Sequence, residues 1–284
     1  MPSIAIVTDT DSSLPDEVAA RYGILQVPIG VHFEDDTFMT GVDIDDASLF
    51  ERVDRDGKLP TTSAPAPGDF LTTFQAAFEA GADQVICLAV SSIVSGTYDA
   101  ARTARDLLLD RDITVVDTKN ISMGQGFMAI EAAKVAERGG PKDAVIERAM
   151  DVGRRTCLYA ALSTLKYLAM SGRVGHLTAG MAGLLSIKPI LTLKEGELQM
   201  LERVRTLKKA RSRVIELARQ ALDHSPAEHM AVVHVDAADE ARDFERMLRK
   251  ELACPDRIIV AELTPGLSVH TGAGMVGVAA VAAA

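Results

Sequence analysis

Tryptophan is absent from this 284-residue chain, and aromatic residues make up only 4% of it. Stacking platforms for bases or sugars are therefore scarce, and packing falls to aliphatic side chains. An excess of positive charge is lacking too, since 40 acidic against 30 basic side chains leave a formal charge of -10. That balance argues against a nucleic-acid or anionic-membrane partner held by bulk charge, although a local basic patch can still meet one acidic protein. Cysteine is sparse: Cys87, Cys157 and Cys254 are widely spaced, and two lie in apolar strand-like runs. This predicts buried thiols in a reducing compartment and suggests no zinc site. No apolar stretch reaches membrane-spanning length, and the strand-like run Ile4 to Val7 follows no basic segment. A cytoplasmic protein without stable membrane insertion is expected.

What is present is a hydrophobic content of 48% over a length that exceeds one compact domain. Two domains sharing a cleft are the expectation, with any ligand between them. The apolar run Ile4 to Asp9 is followed by Ser13-Leu14-Pro15-Asp16, a helix entry that Gly23 can close. The pattern recurs as a strand Val85 to Val90, a polar loop Ser91 to Thr97, a helix to about Leu109 and a strand Ile113 to Val116. Repeated βαβ order predicts a parallel sheet with ligand loops at the strands' C-terminal ends. After about Gly153 the rhythm changes. Strands are expected at Cys157 to Leu162, Ile187 to Leu193 and Glu197 to Val204, the last two joined by a turn at 194–197. Then follow a helix Lys208 to Leu222, a strand Ala231 to Val235, a helix Asp239 to Leu252, a strand Ile258 to Glu262 and a glycine-rich apolar tail. The fold class is α/β: a parallel-sheet domain over 1–155 and an α+β domain over 156–284, whose last residues can return to the first.

Four constellations could carry chemistry. Thr61, Thr62 and Ser63 precede a helix entered at Pro67-Gly68, and they either bind an anion or only cap and turn. Ser91-Ser92-Ile93-Val94-Ser95-Gly96-Thr97-Tyr98 follows a buried strand and opens a helix, so its hydroxyls and N–H groups either meet a carboxylate or form an N-cap. His270-Thr271-Gly272-Ala273-Gly274 reads as an exposed loop whose histidine can donate to a carboxylate in either charge state. In Ser171-Gly172-Arg173-Val174-Gly175, Arg173 pairs with an anion or ties down carbonyls. A basic run, Arg203, Arg205, Lys208, Lys209, Arg211 and Arg213, contains no Asp or Glu at these charged positions and reads as a docking face or a solvated surface.

Taken in order, Thr8-Asp9-Thr10-Asp11-Ser12-Ser13-Leu14-Pro15, Thr62-Ser63-Ala64-Pro65, Ser91 to Tyr98, Ser171-Gly172-Arg173-Val174, Ile187-Lys188-Pro189-Ile190-Leu191 and His270 to Gly274 resemble the DegV family of fatty-acid-binding proteins, nearly end to end. Ser13, Ser171 and Ala273 stand where that family commonly has Asp, Gly and Pro. The resemblance implies a non-catalytic carrier without cofactor or metal. A long-chain fatty acid such as hexadecanoate would lie in the interdomain cleft, its carboxylate on Thr62, Ser95 and His270, with Ser63, Gly96, Thr97 and Arg173 in support. It further implies presentation to a separate fatty-acid kinase, for which Arg203 and Arg205 offer a docking face. Two enzymatic alternatives stand beside it. Asp9 and Asp11 after a strand suggest a haloacid-dehalogenase-type phosphatase, with Asp236 and Asp239 as a loose magnesium pair. Ser95 with His270 suggests a serine hydrolase, although Ile93 stands where a nucleophile elbow needs glycine.

Overall fold

The computed structural model describes residues 2–34, 36–171 and 187–284. Its first sheet contains β1 (Ile4–Asp9), β2 (Leu25–Val27), β6 (Gln84–Ala89) and β7 (Asp112–Asp117), in the order β2-β1-β6-β7 with all neighbours parallel. The central strands β1 and β6 are covered on both faces, which is why they are apolar without alternation, whereas Leu25 of β2 and Asp112 of β7 are exposed. Val7 and Cys87 face α3 (Pro67–Glu79) and α4 (Thr97–Asp106), while Ile6 and Leu88 face the opposite layer.

That opposite layer is α5 (Met123–Glu137), followed by α6 (Lys142–Arg155). Every residue of α5 from Met123 to Ala133 is buried. A helix apolar on all sides needs cover on all sides, and α5 has it: β1 and β6 lie against one flank, a second sheet against the other.

The second sheet runs β10-β9-β8-β13-β11-β12, built from β8 (Thr156–Ala161), β9 (Lys188–Lys194), β10 (Glu197–Val204), β11 (Ala227–His234), β12 (Ile259–Glu262) and β13 (Val276–Ala282). Only β11 and β12 pair in parallel, joined through α9 (Ala238–Glu251). With α8 (Leu207–Ala221), α9 covers its outer face. The layers are thus helices, parallel sheet, α5 and α6, mixed sheet, helices.

A short antiparallel sheet β4-β3-β5, from β3 (Gly30–Phe33), β4 (Asp36–Met39) and β5 (Thr61–Ser63), stands beside the first one with α2 (Asp46–Asp56) between β4 and β5. Asp45 caps α2 by accepting from the Ser48 N–H at 2.8 Å. This flap was not among the elements expected from sequence. Two expectations are corrected. His270 and Thr271 belong to a helix, α10 (Pro265–Thr271), not to an exposed loop. Gly272 ends it at φ +80, where a Cβ would lie 2.3 Å from the Tyr167 ring, so the ring takes the space a side chain would need. Of the thiols only Cys87 is fully buried; Cys157 and Cys254 are partly exposed, and all three are free. No described helix is long and apolar enough to cross a membrane.

Candidate functional site

A cavity of about 630 Å³ opens where the C-terminal ends of β1 and β6, the flap and the inner face of the mixed sheet meet. Its polar end comes from three elements. Strand β5 supplies Thr62, directed inward because its cross-strand partner Val31 is a core residue. The loop after β6 supplies Ser95, and the last turn of α10 supplies His270. Thr62 Oγ1 and His270 Nε2 are 3.1 Å apart. The hydroxyls of β5 do not cap α3; there the Asp69 carboxylate accepts from the Ala66 N–H at 2.8 Å.

The serine loop is held from several sides. The Ser95 N–H donates to the Ser91 carbonyl at 3.2 Å, and Ser91 Oγ donates to the Gly196 carbonyl at 2.8 Å in the turn between β9 and β10. The Ser92 N–H and hydroxyl both donate to Asp117, whose carboxyl also meets Lys119. Burial works to raise that carboxyl, but hydrogen bonds from Lys119 and Ser92 outweigh it and hold it below the usual range. Ser95 Oγ lies 2.8 Å from the buried Thr97 hydroxyl and also accepts the Thr97 N–H at 3.3 Å.

Asp9 supports this end from beneath. Its carboxylate accepts from the N–H groups of Val90 and Asp11 at 2.8 and 3.1 Å and from Gln125 Nε2 at 3.0 Å. Burial pushes its pKa up to about 6 against those bonds. With no exposure, Asp9 cannot meet an incoming phosphate, which removes the geometric basis of the phosphatase alternative. Asp11 does line the cavity, whereas Asp236 and Asp239 do not. Of the pair in the hydrolase alternative, Ser95 bonds to Thr97, and His270 meets Thr62.

The wall formed by the mixed sheet is mostly aliphatic, while Asp11, Asp99, Ser122 and Glu197 also border the cavity. Leu158 and Ala160 of β8, Leu191 of β9, Leu198 of β10 and Val233 of β11 face inward, joined by Ile121, Leu263, Leu267 and Met275. Gly96 also lines the cavity, but Thr97 lies behind Ser95. Although Ser63 borders the cavity, its hydroxyl turns to the flap's outer face, 2.7 Å from His32 Nε2, and His32 Nδ1 meets Thr37 at 2.9 Å. Sequence reasoning overlooked His32, which shares a β-ladder face with Ser63, and Ser122. Ser171 reaches the cavity wall; Arg173 and the rest of its motif lie outside the described residues. Arg203 and Arg205 are exposed at the sheet edge formed by β10, without an ion-pair partner among the described residues.

One cluster has metal-ligand chemistry: oxygen and nitrogen atoms of Glu131, Glu228 and His229 gather within 4.8 Å of one another. Lys134 and Arg148 are 2.7 and 2.6 Å from Glu131, and Arg155 is 2.8 Å from Glu228. The carboxylates are already neutralised, so the cluster is an ion-pair network joining α5 and α6 to β11. Burial works to raise the Glu131 carboxyl, but hydrogen bonds from His229, Lys134 and Arg148 overcome it and hold the group ionised.

Comparison with known proteins fits this geometry. The family model described as "Uncharacterised protein, DegV family" matches residues 3–283. A DegV domain-containing protein of Streptomyces coelicolor is 36% identical over 276 residues, covering 97% of each chain. Among solved structures, a Thermus thermophilus DegV family protein described by its fatty-acid binding superposes with a TM-score of 0.91 at 31% identity, over 99% of this chain and 100% of that one. DegV of Bacillus subtilis, described as a fatty acid binding protein, superposes at 0.86 with 27% identity over 99% and 100%. With its whole α/β architecture and almost its whole length accounted for in this way, the chain belongs to the DegV family.

Proposed function

We propose that this protein is a carrier for one long-chain fatty acid such as hexadecanoate. The observation that carries the reading is a single cavity with hydroxyls and a histidine at one end and aliphatic strand faces beyond. A carboxylate leaving water needs hydrogen-bond donors at its new site, and Thr62, Ser95 and His270, which all line the cavity, would supply them. Gly96 brings backbone close, Thr97 orients Ser95, and Ser63 ties β5 to the flap. Burying a tail of about sixteen carbons at about 0.8 kcal/mol per methylene supplies on the order of 10 kcal/mol gross. Affinity therefore comes mostly from the tail and position from the head.

In this reading the chain divides near residue 155, with 1–155 holding the head group and 156–284 covering the tail, while α10 reaches back to the flap. The protein performs no chemistry itself and takes no cofactor. It presents the carboxylate to a separate kinase for acyl-phosphate formation, with exposed Arg203 and Arg205 as the docking face. Related proteins described as fatty-acid-binding support the ligand class. The test is native mass spectrometry of the protein purified without added lipid. The expected result is one fatty acid per chain, lost on denaturation and identified in the organic extract. An unliganded mass that stays unchanged under excess hexadecanoate would overturn the reading.

A further inference from the structure

Ser122 stands at the start of α5 with φ +52 and ψ -147, a conformation in which glycine is at ease and a side chain is strained. Its backbone N–H donates to the Asp11 carbonyl at 2.8 Å, which fixes that conformation. Its side chain does not cap the helix, and Oγ is buried without a hydrogen-bond partner among the described residues. Yet the residue is 96% buried in the cavity wall, at the positive end of a 15-residue helix. A strained backbone and an unpaired hydroxyl at one position of a ligand cavity, where glycine would relieve both, point to use of the hydroxyl.

Helix α10 shows where along the cavity it lies. Gly266, Leu267, His270 and Thr271 form the lining face of that helix. His270 marks the carboxylate end, whereas a Cβ on Gly266 would fall 2.6 Å from Asp11 Oδ1, so the other end abuts the residue that holds Ser122. Four residues at ~1.5 Å each separate the two stations by about 6 Å. Ser122, held by Asp11, therefore lies toward the Gly266 end of this face beside Ile121, and on the carrier reading an acyl chain would pass it several bonds beyond the carboxylate.

We propose that Ser122 is a specificity-determining residue for acyl chains bearing a hydroxyl near this station, with Ser122 Oγ turning to exchange a hydrogen bond with it. The proposal rests on the carrier reading above and names a substrate class within it. The experiment compares delipidated full-length protein with Ser122→Gly and Ser122→Ala, titrating each with hexadecanoate and with hexadecanoates hydroxylated at successive carbons from the third to the tenth. Glycine suits the backbone, so that variant retains its fold. The wild-type protein is expected to favour one or two neighbouring positional isomers over hexadecanoate by about fivefold, the scale of one net hydrogen bond. Both variants should bind hexadecanoate as before and disfavour those same isomers. Equal discrimination against every isomer in wild type and variants overturns the proposal, as does a preference that survives in both variants. Loss of hexadecanoate binding by the wild type would instead bring down the carrier reading, and this inference with it.

Discussion

The two walls of the cavity are built by different means. On the polar side a flap strand, a loop and a helix each contribute one group, and the loops are fixed by named hydrogen bonds: Ser95 through Ser91 and Thr97, Ser92 through Asp117, the turn at Asp11 through Asp9. On the mixed sheet, strand faces carry the lining groups, and position follows from the pleat alone, Leu158 and Ala160 being two residues apart on β8. The polar wall is specified by directional bonds that contribute little to the core; the apolar wall is itself part of the core.

This difference makes separable predictions. The largest effect is expected from Thr62→Ala combined with Ser95→Ala. If these hydroxyls hold the carboxylate as proposed, their loss should weaken fatty-acid binding roughly a hundredfold or more, while the urea midpoint of the unliganded protein stays near wild type. Leu191→Ala should do both things at once. It removes a core side chain, costing about 2 kcal/mol of stability, and it weakens hexadecanoate binding by roughly tenfold in titration calorimetry. A Leu191 variant that altered binding alone would break the comparison.

The third effect is on pH dependence. Asp46 at the start of α2 accepts from Ser268 Oγ at 2.7 Å, which fastens α10 to the flap. Burial raises its pKa to about 8, helped by Glu262, Asp236 and Asp45, while the Ser268 bond opposes it. The folded protein holds this proton while the unfolded chain releases it at about pH 4. Stability is therefore full below that value and falls as pH rises toward about 8. Asp9 adds a smaller fall in the same direction, complete by about pH 6. Asp46→Asn should flatten the denaturation midpoint between about pH 6 and 8; an unchanged slope would place the proton elsewhere. The smallest effect on either wall belongs to Arg203→Glu with Arg205→Glu. Fatty-acid affinity should stay within about twofold, and if the docking face proposed above is correct, acyl-phosphate formation by an added fatty-acid kinase should drop in a coupled assay.

The same contrast governs what the sequence discloses. Strands β1 and β6 are legible as apolar runs because they are buried on both faces, β7 as the shorter run Ile113 to Val116, and β9 and β10 as two strand-like runs on either side of a Glu-Gly turn. The serine motif stands out because it follows the buried strand β6 directly, although Ser91 and Ser92 turn out to hold the loop. Residues 25–63 are harder to read. Strands of three or four residues carry no periodicity, and only the Asp45 cap and the spacing of Leu49, Phe50 and Val53 announce α2. His270 misleads because its flanking glycines resemble a loop, whereas Pro265 and the buried Leu267 and Val269 make a short helix. Ser122 carries no local signal: its strain arises from a contact with Asp11, more than a hundred residues away.

The position of α5 has a consequence for traffic through the cavity. Because this one helix serves as core to both sheets, they cannot part like the halves of a shell without baring Met123, Phe127 and Met128, which are almost wholly enclosed. Among the described residues, the flap and the turn fastened by Ser91 border the cavity and are held there by a few hydrogen bonds, so either can shift while α5 stays packed. For the carrier proposed above, loading and release would then require one of these two elements to open and not the two sheets to separate.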